Sequence, residues 1–188
     1  MAVIINASTS TGLVQSADTS GIIQFQSNGS TKATLNSSGF SYPGAVLQVV
    51  SVTKTDTFST SSITFVDLTG LSATITPTSA SNRILILVTS NQTNSSTSGL
   101  TTYNLVRGST NICQPATTPA FAGSMGNYVG IVDNVLPFSI TFLDSPSTTS
   151  ATTYKVQLKS NAGTVGINSR NSGDGAFTST ITLMEIAA

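Results

Sequence analysis

The stretch Ser62-Ile-Thr-Phe-Val-Asp-Leu-Thr-Gly-Leu-Ser-Ala-Thr-Ile-Thr-Pro-Thr-Ser-Ala-Ser-Asn-Arg-Ile-Leu-Ile-Leu-Val-Thr-Ser-Asn-Gln92 holds two kinds of strand. Over residues 63–76 apolar and hydroxyl side chains tend to alternate, with Gly70 as a break. A strand points successive side chains to opposite faces, so this is the pattern of half-buried strands. Over residues 84–88 the run Ile-Leu-Ile-Leu-Val is apolar without interruption, which fits a strand covered on both faces. Residues 77–82 between them, Pro-Thr-Ser-Ala-Ser-Asn, form a turn. A strand covered on both sides, next to half-covered ones, implies two packed sheets or a subunit interface. All of residues 84–88 are therefore expected to be buried in the assembled protein.

The same strand grammar extends outward in both directions. Residues 46–53 are β-branched and apolar. Residues 55–62 read as a loop, with Phe58 a candidate for inward packing. Further strands are expected at 100–107, 110–114, 128–132, 136–143, 152–158, near 165–167 and at 177–186. In the 152–158 run, Tyr154, Val156 and Leu158 fall on one face. Loops are expected at 93–99, at 115–127 and at 168–175, all rich in Ser, Thr, Asn, Pro, Ala or Gly. Eight to ten short strands at this spacing, with no helical periodicity, predict an all-β antiparallel sandwich or jelly roll over residues 45–188. The last strand is expected to be an inner one.

Residues 1–44 differ. A short apolar run at 2–6 leads into a polar Ser/Thr stretch. Residues 21–27 alternate weakly, Asn28-Gly29 is a hairpin signal, and 32–36 is the returning strand. Residues 37–44 close the segment with turn formers. Two or three short strands with so few apolar residues need a partner surface. Phe25 and Leu35 are its candidate attachment residues.

Composition narrows the function classes. Lys+Arg and Asp+Glu number 7 each in 188 residues, and charged residues are 7% of the chain, against about 25% in ordinary domains. Ser and Thr supply roughly a third of it. A chain with so little charge repulsion tends to associate. Without a basic patch, nucleic acid is not an expected partner. No apolar run reaches the ~18 residues of a membrane span, so no membrane insertion is expected, and the first residues lack the features of a signal peptide. Cys113 is the one cysteine, which leaves no internal disulfide.

Histidine is absent, which removes the usual general base and the commonest metal ligand. Asp18, Asp56, Asp67, Asp133, Asp144 and Asp174 are scattered, mostly among turn residues, where capping and solvation account for them. Asp67 and Glu185 lie within strands and are expected to pair with Arg83, Arg107 or Lys155. Ser172-Gly-Asp-Gly175 resembles a calcium loop only in part, because the repeated acidic ligands are missing. Cys113 has no base and is expected to be a small buried hydrophobe. No catalytic residue, metal site or cofactor is therefore expected. Aromatics in or beside loops can stack on sugars or anchor interfaces. Phe121 is the leading candidate, with Tyr103 and Tyr128 equally suited to the core. Asn94 and Asn171 are further outward-facing loop candidates.

Several blocks carry a family likeness: 44–50 (Gly-Ala-Val-Leu-Gln-Val-Val), 65–71 (Phe-Val-Asp-Leu-Thr-Gly-Leu), 75–85 (Ile-Thr-Pro-Thr-Ser-Ala-Ser-Asn-Arg-Ile-Leu), 104–110 (Asn-Leu-Val-Arg-Gly-Ser-Thr) and the ending 180–186 (Thr-Ile-Thr-Leu-Met-Glu-Ile). In order and spacing the chain resembles tail-fibre-like structural proteins of tailed bacteriophages, of the aquatic or cyanobacterial type. The resemblance implies a homotrimeric jelly-roll head of the C1q and tumour-necrosis-factor plan and no enzymatic activity. It also implies a place in the phage particle, after synthesis in the bacterial cytoplasm. Residues 1–44 would interlock the trimer or dock to another virion protein, and the head would meet a host surface glycan or protein. A capsid decoration protein that stabilises the shell is the alternative.

Overall fold

The computed structural model describes residues 20–37, 39–170 and 172–188. Contacts divide the chain into two units, Met1–Ala45 and Val46–Ala188. In the first, β1 (Ile23–Ser27), β2 (Ser30–Asn36) and β3 (Gly39–Ser41) form an antiparallel sheet in that order. The β1–β2 turn is closed by Asn28 and Gly29, with φ 50 and 74. A two-residue hairpin needs positive φ at both positions, which is why Asn-Gly stands there. β3 lies where the sequence suggested only turn formers. It is three residues long and is recruited by pairing with β2, Leu35 opposite Phe40.

The second unit is an antiparallel jelly-roll sandwich. Its strands are β4 (Val46–Lys54), β5 (Phe58–Thr60), β6 (Val66–Ile75), β7 (Arg83–Asn94), β8 (Gly99–Arg107), β9 (Thr110–Ile112), β10 (Met125–Val129), β11 (Leu136–Asp144), β12 (Thr152–Ser160), β13 (Val165–Ile167) and β14 (Ser179–Ile186). One sheet runs β4-β14-β7-β11, with β13 and β5 continuing it beside the far end of β7. The facing sheet runs β6-β12-β8-β10, with β9 also on β8. β14 lies between β4 and β7, the inner position expected of the last strand, and β4 and β14 join the two ends of this unit.

The core lies between the sheets. Ile84, Ile86 and Val88 on β7, Ile181 and Leu183 on β14, and Phe138 and Ile140 on β11 meet Leu68, Leu71, Ala73 and Ile75 on β6, Tyr103 and Leu105 on β8, and Tyr154, Val156 and Leu158 on β12. The rings of Tyr103 and Phe138 stack across the gap at 4.0 Å. The break at Gly70 is a bulge. Pairing of β6 with β12 jumps from Ser72 opposite Lys155 to Asp67 opposite Gln157, and Gly70 takes φ 84. The inserted residue keeps Leu68 and Leu71 on the same inner face.

Three strand limits differ from expectation. β5 lies inside the expected 55–62 loop, where Phe58 does pack against the core. β10 starts at Met125 because its pairing with β8 begins there, opposite Tyr103. That leaves Ile131 and Val132 outside any strand and exposed. β7 runs on to Asn94, through the start of the expected 93–99 loop, because Thr93 and Asn94 pair with Gly166 and Val165.

Candidate functional site

Among the described residues, Asp56, Asp67, Asp144, Asp174 and Glu185 are engaged in structural bonds, and Asp18 lies outside the described residues. Glu185 is fully buried on the inner side of β14. Its Oε1 accepts hydrogen bonds from the Thr78 backbone N–H (2.6 Å), the Thr78 hydroxyl (2.8 Å) and Asn82 Nδ2 (2.6 Å), and its Oε2 accepts one from Gln48 Nε2 (2.6 Å). Burial pushes its carboxyl up, but the bonds from Asn82, Gln48 and Thr78 outweigh this and hold it below its ordinary value. The expected cationic partner is replaced by neutral donors, which need no second buried charge. Asp67 pairs with Lys155 (2.7 Å), as expected, and also accepts from Gln157 (2.7 Å). Those two bonds lower its pKa. Asp144 is not a turn cap. It is buried, takes Arg107 Nη1 on both oxygens (3.0 and 2.8 Å) and accepts the Tyr154 hydroxyl (2.7 Å). Asp174 accepts from Ser172 and pairs with Arg170 (3.0 Å).

The loop candidates separate. Asn94 does not face outward. It is fully buried, donates to Ser160 Oγ (3.1 Å) and accepts the Ser96 N–H (2.9 Å). Its amide satisfies backbone and hydroxyl groups at the end of the sandwich, and a polar residue in a Ser/Thr run gives no hint of that. Asn171 lies outside the described residues. Tyr103 is wholly buried, whereas Tyr128 is exposed. Cys113 is half-buried against the core, and burial pushes its thiol up.

Phe121 is half-exposed and fixed in place. The connection 113–124 lies across the outer face of the β6-β12-β8 sheet, where Thr102, Asn104 and Val106 are buried despite pointing outward. Ser124 N–H bonds to Tyr103 O (2.7 Å), and Gln114 donates to Asn104 (3.3 Å). Lys159 donates to Ala120 O (2.7 Å), with its ammonium 4.7 Å from the Phe65 ring and 5.8 Å from the Phe121 ring. Each such cation–π contact at an exposed site contributes about 0.5–1 kcal/mol. With the Lys155-Asp67-Gln157 row, this face is charged, polar and partly roofed.

The outer face of the β4-β14-β7-β11 sheet has the opposite character. Val49 stands opposite Met184, Met184 opposite Leu85, and Leu85 opposite Leu143, one apolar row across all four strands. Ser51, Thr182, Leu87 and Thr141 form the next row, and Thr53, Thr180, Thr89 and Ser139 the one after. The hydroxyls bond to one another, Ser51 with Thr182 (2.8 Å) and Thr89 with Thr180 (2.7 Å). Among the outward positions of these strands the charged side chain is Arg83, at the rim. Val49 is 55% and Leu143 43% exposed, and Leu85, Leu87 and Met184 are half-buried. Within the single chain, the 84–88 run is thus covered fully on one side and only in part on the other.

In the N-terminal unit, Phe25 and Leu35 lie on one face with Ile23, Ala33, Phe40 and Tyr42, by the pairing of Ile23 with Leu35, Phe25 with Ala33 and Leu35 with Phe40. The Phe25 and Phe40 rings meet edge to face at 5.6 Å, and Phe40 and Tyr42 at 6.0 Å. The opposite face carries Gln24, Gln26, Thr34 and Ser41.

No family model and no curated protein matches the chain. Among solved structures, it is similar to VP2 of infectious bursal disease virus. A point mutant of VP2 in derived T=1 particles aligns with TM-score 0.40 and 16% identity, over 88% of this chain and 41% of that one. The VP2 subviral particle aligns with TM-score 0.40 and 16% identity, over 88% and 42%. The Gt strain aligns with TM-score 0.39 and 14% identity, over 98% and 47%. The chain spans less than half the length of each.

Proposed function

We propose that this chain is a virion structural protein, a homotrimeric tail fibre or fibre tip that contributes to host attachment. The observation that carries the reading is the outer face of the β4-β14-β7-β11 sheet, uncharged except for Arg83 at its rim, with its apolar row Val49, Met184, Leu85 and Leu143. Four strands ~4.8 Å apart and nine residues long cover roughly 600 Å² in plan. That is close to the ~800 Å² per partner of a standard interface. A second copy of the same surface meets it without desolvating a charge, and hydroxyls already bonded to one another lose little on burial. The number three rests on the family resemblance. With this face turned to a common axis, the opposite sheet, with Phe121 and Lys159, stays outside to meet a host glycan or protein. Residues 1–44 serve the trimer or the particle.

Native mass spectrometry and light scattering of the purified chain at micromolar concentration test the assembly, and a stable folded monomer would overturn it. An antibody against the chain, imaged on intact particles, tests the location. Label on the tail supports the fibre. Label spread over the shell overturns it in favour of a decoration protein.

A further inference from the structure

Among the described residues, the three-stranded N-terminal sheet has an apolar face with nothing packed over it. Phe25 is 44%, Leu35 39%, Phe40 54% and Tyr42 51% exposed. In a sheet this small such a face is untenable in water, because one layer of three strands has no second layer to form a core. We propose that the face is covered by the same face of two further copies of this chain. Three such sheets would close into one three-sided apolar core, with the Gln/Thr/Ser faces turned to solvent.

Three observations select copies of the chain over a foreign protein. Its middle and β3 side, Ile23, Leu35, Phe40 and Tyr42, carry no charge, and Lys32 stands at the bulge opposite Phe25, toward the Asn28-Gly29 turn. That part of the face offers no ion pair by which to specify a different partner, while symmetry alone sets the register between identical copies. Its size points the same way. Three strands ~4.8 Å apart, of 5, 7 and 3 residues, cover roughly 240 Å², well short of the ~800 Å² per side of a free-standing interface. So small a patch works where its partners are already held close. The link is short. Only residues 42–45 separate β3 from β4, at most about 14 Å of chain. Association of the head units would therefore raise the local concentration of N-terminal sheets into the millimolar range. The inference rests on the trimeric reading above and is tested apart from it.

The centre of the face also fits. β2 is the middle strand, and its inward positions there are Ala33 and Leu35, with the rings of Phe25, Phe40 and Tyr42 on the flanking strands. A small residue at the middle lets three sheets approach an axis, and rings at the sides fill the gaps between them.

The test uses the full chain, with Cys113→Ala as background so that one added thiol is the only one. Ala33→Cys places it at the centre of the apolar face, and Thr34→Cys places it on the polar face of the same strand. Facing sheets lie ~10 Å apart, within reach of a short bismaleimide. In a closed threefold ring, A33C should give covalent dimers from about two-thirds of the chains, and T34C should give almost none. Three results would overturn the inference. If the protein is a trimer but A33C does not cross-link, the N-terminal faces do not meet, and the trimeric head still stands. If the A33C thiol is freely labelled in the purified trimer and protected only in the particle, a different virion protein covers the face. If neither variant nor the parent is a trimer, the underlying reading falls with it.

Discussion

A single carboxylate ties three separate segments of the head together. Glu185 joins the 76–82 turn, through Thr78 and Asn82, to Gln48 on β4. Asn82 in turn accepts the backbone N–H of Ala188 (3.2 Å). Glu185→Gln keeps the shape but sets an amide against a ring of donors. The substitution is expected to lower stability by about 1.5–3 kcal/mol, the range for bonds to a buried charged group. Unchanged urea unfolding of the variant at neutral pH would refute this account. The acid limb carries the same signature. Because the folded pKa of Glu185 is depressed, its contribution is present above the unfolded value, about 4.3, and is lost as pH falls through the folded value. Urea midpoints measured from pH 6 down to pH 3 should therefore drop less steeply in E185Q than in the parent. Asp56, Asp67 and Asp174 also have lowered values and remain in both proteins, so the difference between the two curves isolates Glu185.

At the scale of an element, β7 separates what holds the fold from what we assign to assembly. Its inner residues Ile84, Ile86 and Val88 are wholly buried in one chain, and its outer residues Leu85 and Leu87 are not. Ile86→Ala should lower stability by about 2–5 kcal/mol, as for other core truncations, and thermal unfolding of the head reads it directly. Leu85→Asp should leave the sandwich folded by circular dichroism yet shift the assembly to monomer in native mass spectrometry. Ser72→Asp, on the outer face of the opposite sheet, should leave assembly intact. A Leu85→Asp protein that stays fully assembled would remove this face from the interface. The strands were legible where one face is apolar, because alternation marks a half-buried strand without ambiguity. The run of residues 84–88 was equally plain, as were the Asn28-Gly29 turn and the break at Gly70, though not that the break is a bulge. What pattern cannot reveal is polar burial. Asn94, Asp144 and Glu185 are polar residues in Ser/Thr-rich surroundings, and only the partners that reach them from distant strands decide that they lie inside. Short strands such as β3 and β5 escape for a related reason. They form because a neighbouring strand offers unpaired backbone groups, and three residues carry no period of their own.

At the scale of the whole molecule, charge decides how the assembly should respond to solvent. The chain has 7 basic and 7 acidic residues, and most of those on the head's sheets lie inside it or on the β6-β12-β8 side. Lys155 bonds to Asp67, and Arg107 to the buried Asp144. The face assigned to the axis carries Arg83 alone, at its rim. Association through such a face is driven by removing apolar area from water, at ~25 cal/mol per Å², with almost no Coulombic component for salt to screen. An interface built on ion pairs would weaken as the Debye length falls from about 10 Å at 0.1 M to about 3 Å at 1 M. This one should not. We expect the dissociation constant, measured by sedimentation, to stay within about threefold over that range of sodium chloride, and to tighten in sulfate, which strengthens apolar burial. The melting temperature should also rise with protein concentration, because assembly stabilises the folded chain by mass action, and Leu85→Asp should abolish that rise. A dissociation constant that weakens tenfold or more with sodium chloride would mean that charged groups hold the copies together. The interface would then have to lie on the opposite sheet, where Lys155, Lys159 and Asp67 are, and the face that meets a host would have to be reassigned with it.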